Sequence, residues 1–138
     1  MLEKLLNTRT QMVLKQSMDA SSLRNDVIAN NIANAETPKF KRSEVIFEQK
    51  MKKVLEKSTN PDKLKLTDSR HIPISPTASN SLIEVRELED LSYRNDDNNV
   101  DIDVETANLS KNKIYYDAVS QSMSNEIKLI KMAILGRG

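Results

Sequence analysis

The chain is poor in the residues on which most active sites and self-contained cores depend. Its 138 residues include no cysteine, no tryptophan, two glycines, one histidine, three tyrosines and two phenylalanines. The lack of cysteine excludes disulfides, thiol nucleophiles and thiolate metal sites. Because its only glycines are residues 136 and 138, the chain also has neither a P-loop nor a dinucleotide-binding fingerprint, which need several glycines at fixed spacing.

The single histidine, His71, offers little to a catalytic or metal site. One histidine cannot form a two-histidine metal site, and Ser69 and Ser75 lie too close to it in sequence to suit a Ser-His-Asp triad. We therefore expect a protein that is not an enzyme and that needs no cofactor and no metal ion.

The composition predicts one domain with a small core. Hydrophobic residues make up 38% of the chain and charged residues 30%. So few large apolar side chains suggest that burial is completed against partners. Charged residues interrupt Leu2, Leu5 and Leu6, and no apolar run reaches the roughly 18 residues that a membrane-spanning helix needs. We expect no cleaved secretory signal and no membrane span.

Charge is segregated along the chain although the net charge is only +1. Residues 39–70 contain ten Lys or Arg against five Asp or Glu, whereas residues 84–105 contain two against nine. The basic segment lacks interleaved aromatics, and the acidic one would repel a polyanion, so we expect no nucleic acid partner. Contacts between the two segments, within or between subunits, are the favoured interpretation, and a solvated charged face is the alternative.

A seven-residue apolar repeat predicts a long helix at each end of the chain, over residues 1–34 and 104–138. The repeat positions of the first helix are Leu6, Val13, Ala20 and Val27. Those of the second, here called the apolar stripe, are Ile102, Leu109, Tyr116, Met123 and Ile130, widened by Val119 and Ala133 and then by Ile127 and Ile134. Each helix would be roughly 50 Å long at 1.5 Å per residue.

Matched lengths and repeats favour a coiled-coil-like pair of helices that together form one helical core domain. The alternative is an ordinary two-helix core covered by the middle segment. Part of each apolar face is a candidate assembly interface, with the residues Leu6, Val13, Val27, Leu109, Tyr116, Met123 and Ile130.

Local signals mark where these helices end. Asn34 is a suitable C-cap, and Pro38 cannot continue the first helix. Asp101 or Asp103 can cap the amino end of the second helix, and Gly136 can close its carboxyl end.

The middle segment, residues 35–103, is predicted to contain a turn, a short helix and partly extended or disordered chain. An amphipathic helix is expected over about residues 44–57 and is ended by Pro61. Residues 64–74 alternate weakly, but Pro73 and Pro76 restrict that part to extended or edge structure. Residues 75–81 read as loop and residues 88–99 as a polar, mobile stretch.

Residues 96–103 are acidic and invite comparison with an EF-hand calcium loop. Asp97, Asn99 and Asp101 fit the first ligand positions. Ile102, however, occupies the position that needs glycine, and Asn108 replaces the closing glutamate. An acidic loop that caps the last helix is the favoured interpretation.

Three asparagines, Asn30, Asn31 and Asn34, lie at the end of the first helix beside small alanines. Asparagine is a mediocre helix former because its amide competes for backbone hydrogen bonds. Their placement predicts amides that bridge closely approaching segments at an assembly interface. A turn follows, formed by Thr37, Pro38, Lys39 and Phe40. Its third residue, a lysine, implies either type I geometry or a left-handed backbone at that position.

Residues 29–41, Ala-Asn-Asn-Ile-Ala-Asn-Ala-Glu-Thr-Pro-Lys-Phe-Lys, resemble the Ala-Asn-Asn-x-Ala-Asn-x-x-Thr-Pro-Gly-Tyr-Lys signature of bacterial flagellar axial proteins. Lys39 replaces the glycine of that family and Phe40 its tyrosine. Residues 98–105, Asn-Asn-Val-Asp-Ile-Asp-Val-Glu, and the terminal Ala-Ile-Leu-Gly-Arg-Gly resemble segments of the proximal-rod family within the flagellar basal body.

The resemblance implies a structural subunit of the proximal rod, whose terminal helices assemble into a helical tube that transmits torque and passes exported subunits. It implies a periplasmic place in the basal body, reached by flagellar type III export without a cleaved signal peptide. The implied partners are further copies of the chain, the rod proteins FlgC, FlgF and FlgG, the adaptor FliE, the membrane ring FliF and the export gate. The alternative is a soluble helical-hairpin adaptor or chaperone-like interaction module.

Overall fold

The computed structural model describes residues 8–59, 82–89 and 95–136. Two long helices, α1 (Arg9–Ala33, 25 residues) and α3 (Ile102–Leu135, 34 residues), pack against each other. Between them along the chain come strand β1 (Ser43–Ile46), helix α2 (Glu48–Thr59) and strand β2 (Glu84–Glu87). The predicted mainly α fold, with a packed pair of long terminal helices, is confirmed.

The helix ends follow the predicted capping residues. Asn34 is the C-cap of α1, and its side-chain Nδ2 also donates to the Asn30 carbonyl at 2.9 Å. Asp101 caps α3, its Oδ1 accepting from the amides of Asp103 at 2.9 Å and Val104 at 3.2 Å. Gly136 ends α3 with a φ of 61°, in the left-handed region that glycine adopts without steric cost.

Strand β1 corrects the helix predicted over residues 44–57. Val45 and Phe47 are 7% and 2% exposed, and their alternation places both on the buried face of an extended segment. The helix begins only at Glu48. β1 pairs antiparallel with β2, Val45 opposite Val85. Leu6, His71, the weakly alternating residues 64–74 and the predicted loop 75–81 lie outside the described residues.

The small hydrophobic core lies on one side of α1. Ala20 packs there with Phe47 and Met51, all under 10% exposed, and their partly buried neighbours are Val13, Leu55, Leu82 and Ile83. The two-stranded sheet and α2 thus cover one face of α1, while α3 packs along another. None of the helices in the described part of the chain is both long and apolar enough to span a bilayer.

Candidate assembly surface

The interface between α1 and α3 contains a buried polar pair near its middle. Ser21 Oγ donates to Asn112 Oδ1 at 2.9 Å, and Asn112 Nδ2 donates to the Ser21 carbonyl, also at 2.9 Å. Ser21 is 1% exposed and Asn112 5%. The Ser21 hydroxyl and both ends of the Asn112 amide are thus hydrogen-bonded, so neither side chain is left with an uncompensated desolvation cost.

A second polar group joins the helices closer to the end of α1. The Asn31 side chain accepts from the Ser43 amide at 3.0 Å and donates to the Ser43 carbonyl at 2.9 Å, so it pairs with β1 much as a strand would. It also donates to Glu105 Oε2 at 3.0 Å. The other carboxylate oxygen of Glu105 lies 3.6 Å from an Arg42 guanidinium nitrogen. A buried carboxylate is tolerated here because it is both hydrogen-bonded and paired with a cation.

We call these four residues, Ser21, Asn31, Glu105 and Asn112, the polar seam. On α3 the buried residues are Glu105, Asn112 and Val119, which recur every seven positions. This register lies three residues along from the apolar stripe. Of the apolar positions in the stripe, Val119 is therefore the one that is buried with this repeat, and the other two residues of the repeat are polar.

The apolar stripe remains largely open to solvent in the single chain. Ile102 is 49% exposed, Tyr116 39%, Ile127 55% and Ile134 63%. Leu109, Met123 and Ile130 are half-buried. Exposed apolar residues that recur along one helix face are typical of a surface that packs against another protein.

The predicted interface residues of α1 occupy several environments. Val13 is half-buried against the Phe47 and Met51 core, and Val27 is half-buried beside β1. Asn30 is exposed. Of the three asparagines, Asn31 is therefore the one whose amide joins α1 to α3 within the chain. Whether any of them contacts a neighbouring subunit stays a prediction.

The predicted turn follows Asn34 directly. Lys39 has a φ of 63°, so of the two expected geometries the left-handed one is adopted. The Lys39 amide donates to the Asp96 carbonyl at 2.8 Å, and the Phe40 amide donates to Thr37 at 3.3 Å. Pro38 is exposed. The turn is thus held by the loop that precedes α3.

Asn98, which the sequence analysis did not single out as a site residue, closes the end of α1. It is fully buried, and its Nδ2 contacts the carbonyls of Asn34, Ala35 and Thr37 at 2.8–3.0 Å. Its Oδ1 accepts from the Val100 amide at 2.8 Å. One side chain thereby holds together three carbonyls of the segment that follows the last turn of α1. The available signal was its place within the motif that resembles the rod family.

Asn99, the next residue of the same loop, hydrogen-bonds to residues that flank the two strands. Its Oδ1 accepts from the Arg42 amide at 2.7 Å, and its Nδ2 donates to the Leu88 carbonyl at 2.8 Å. The Leu88 amide in turn donates to the Arg42 carbonyl at 2.9 Å. Residues 98 and 99 belong to the stretch predicted to be mobile, but hydrogen bonds from their side chains hold them to the end of α1 and to the ends of the strands.

The basic and acidic segments contact each other, as one of the two charge interpretations predicted. Lys50 of the basic segment, on α2, pairs with Glu84 of the acidic segment, on β2. Arg86 and Glu44 also pair, at 2.8 Å across the two strands, but there the arginine comes from the acidic segment and the glutamate from the basic one. The hydrogen bond from Lys50, followed by the lysine charge, lowers the pKa of the Glu84 carboxyl below its ordinary value. These pairs are exposed, so each adds little stability.

A cavity of about 350 Å³ lies between the polar seam and β1. Four of its charged side chains form two pairs: Arg24 binds Glu48 at 2.8 Å, and Arg42 approaches Glu105. Among the described residues there is no cluster of three His, Asp or Glu side chains that could hold a metal ion.

Comparison with known proteins places this geometry in a class. The family model described as "Flagella basal body rod protein" matches residues 17–41. That segment contains Ser21 and Asn31 of the polar seam, the C-cap Asn34 and the turn at Thr37. The matched segment points to the class of rod proteins of the bacterial flagellar basal body.

Longer alignments define the family within that class. The chain is 33% identical over 123 residues to the flagellar basal body rod protein FlgB of Bacillus subtilis, covering 89% of this chain and 91% of that protein. It is 35% identical to FlgB of Proteus mirabilis over the whole of both chains, and 28% identical to FlgB of Escherichia coli over 83% and 84% of the two chains. The chain belongs to the FlgB family of flagellar basal body rod proteins.

Proposed function

We propose that the chain is a structural subunit of the proximal rod, which assembles through its terminal helices into a helical tube. The tube transmits torque and passes exported subunits through its centre. Torque is carried better by stiff parallel helices that each make many contacts with neighbouring subunits than by a contact at a single site. A 34-residue helix supplies an element about 51 Å long.

The observation that carries the proposal is the exposed apolar stripe on α3. The stripe extends to Ile134, which is 63% exposed, near the helix end. Because α3 has nine more residues than the described part of α1 (34 − 25), it is about 13 Å longer. A stripe of this length offers a neighbouring helix a continuous apolar surface.

The family supports a place in the basal body, and we propose that it is the periplasmic rod, entered by type III export without a cleaved signal peptide. We further propose that the stripe contacts other copies of the chain and the neighbouring rod proteins FlgC, FlgF and FlgG. The adaptor FliE, the membrane ring FliF and the export gate are the proposed neighbours at the inner end of the rod.

Ile127→Asp tests this function at a position that the single chain leaves 55% exposed. Folding of the monomer should be unaffected, whereas an interface that covers residue 127 would bury an unpaired carboxylate at a cost of several kcal/mol. We expect a strain that carries this variant to lose motility, and its isolated basal bodies to lack a complete rod.

Ser124→Asp is the matched control, because it adds the same charge one turn away at an exposed position outside the stripe. The control strain should swim and build rods. Normal rods in the Ile127→Asp strain would contradict the proposed interface. A chain that pairs stably with one soluble partner, and is absent from purified basal bodies, would instead support an adaptor.

A further inference from the structure

The polar seam and the apolar stripe lie side by side on α3, but only the seam faces α1. Leu109 precedes Asn112 by three residues, and Ile102 precedes Glu105 by the same interval. Three residues correspond to about 60° around the axis of an α-helix. A rotation of α3 by that angle would therefore bring the stripe against α1.

Hydrophobic burial alone favours the rotated arrangement. Ile102 and Tyr116 are 49% and 39% exposed in the observed one. Turning them toward α1 would remove apolar surface from water while moving Asn112, a carboxylate and the single apolar residue of that repeat, Val119, outward. Some other contribution must hold α3 in the observed orientation.

The polar seam supplies that contribution. In the rotated arrangement apolar side chains would replace Asn112 and Glu105 as neighbours of Ser21 and Asn31. The Ser21 hydroxyl, 1% exposed, would then lose its bond to Asn112, and the Asn31 amide, also 1% exposed, would keep Ser43 but lose Glu105. Buried polar groups without partners are strongly disfavoured, and single polar residues fix helix orientation in coiled coils on this basis.

We infer that the polar seam keeps α3 turned so that the apolar stripe stays outside and available to a neighbouring subunit. The inference rests on the proposed function, because it describes how access to that same surface is controlled. Ser21 and Asn112 set the orientation near the middle of the helix pair, and Asn31 and Glu105 repeat it near the end of α1.

A tryptophan probe makes the orientation measurable, since the chain has no tryptophan of its own. In a Tyr116→Trp background, the test variant is Ser21→Ala with Asn112→Ala. The control is Ser22→Ala with Asn125→Ala, the same two changes at exposed positions. Acrylamide quenching and the emission wavelength of the free full-length chain report whether residue 116 is exposed.

We expect the control to match its parent, whereas the test variant shows weaker quenching and emission at shorter wavelength. Removing the hydrogen bonds between Ser21 and Asn112 should raise the fraction of chains in the rotated arrangement about tenfold or more. Equal quenching in the test and control proteins would overturn the inference.

If the double variant loses its helical circular dichroism, Ser21→Ala alone replaces it and Ser22→Ala is its control. The Asn112 Nδ2 bond to the Ser21 carbonyl does not involve the changed side chain, so this variant keeps part of the pair. Equal quenching in this comparison is likewise contrary to the inference. The measurement concerns the free chain, so it is independent of the Ile127→Asp result, which alone decides the proposed assembly interface.

Discussion

Replacing Asn31 by alanine removes three hydrogen bonds with a single side chain. Asn31 binds the Ser43 amide and carbonyl at 3.0 and 2.9 Å, and Glu105 at 3.0 Å. Asn31 itself is 1% exposed and Glu105 2%. The substitution therefore leaves one donor and two acceptors without their present partner.

The size of the effect depends on what replaces the amide. A buried polar group without a partner costs about 1–3 kcal/mol. The adjacent cavity, about 350 Å³ and lined by Ser43 and Glu105, can admit water, and Arg42 still faces the carboxylate. We therefore expect a total loss of about 2–4 kcal/mol, below the simple sum. For a chain of 138 residues, this lowers Tm by about 6–12 °C.

Thermal and urea unfolding followed by circular dichroism measure this loss. Asn30→Ala is the matched control, since it makes the same change one residue earlier at an exposed position. Alanine is the better helix former, so the control should unfold at the same temperature or slightly higher. Equal Tm values for the two variants would refute the assignment of Asn31 as the structural cross-link.

Two further predictions concern the turn at Lys39 and the ion pair of Glu84 on β2. Lys39→Gly should stabilise the chain by up to about 1 kcal/mol, since relief of left-handed strain at a φ of 63° exceeds the added chain entropy of glycine. The control Lys15→Gly, within α1, should instead lower the free energy of unfolding by about 1 kcal/mol. A urea midpoint for Lys39→Gly below that of the parent chain would contradict this account. The lowered pKa of Glu84 means that its contribution to stability is present above the unfolded-state pKa and is lost as pH falls through the folded-state pKa. Glu84→Gln should therefore lose less stability on acidification than the control Glu89→Gln. An NMR titration that places the pKa of the Glu84 carboxyl in its ordinary range would contradict the pairing with Lys50.

The parts of the fold that depend on local chemistry were predictable from the sequence. Asn34, Asp101 and Gly136 mark helix ends because capping uses only nearby backbone groups. The apolar repeat likewise predicted two long terminal helices. The start of α2 was misplaced because the apolar residues around Val45 suit either a strand or a helix over so short a run.

The register of the helix pair could not be predicted in this way. Apolar periodicity identifies the face that can pack against something, but not which partner it meets. Asn112 and Glu105 pack toward α1 because Ser21 and Asn31 lie opposite them, and such complementarity is visible only in three dimensions. Asn98 was missed for the same reason, since all three carbonyls that it binds lie more than 60 residues earlier in the chain.

The contacts that cover the end of α1 and its α3-facing side come from much later in the chain. Asn98 lies 61–64 residues beyond the carbonyls that it binds, and Asn112 lies 91 residues beyond Ser21. Long separations slow folding, because a large loop must close before the contact forms. A chain delivered amino end first could therefore pack α1 against β1 and α2 early, but the side of α1 that faces α3 would stay uncovered until residues 98–112 arrive. Ser21 and Asn31 are polar, so during that interval this side offers few apolar groups on which waiting chains could aggregate.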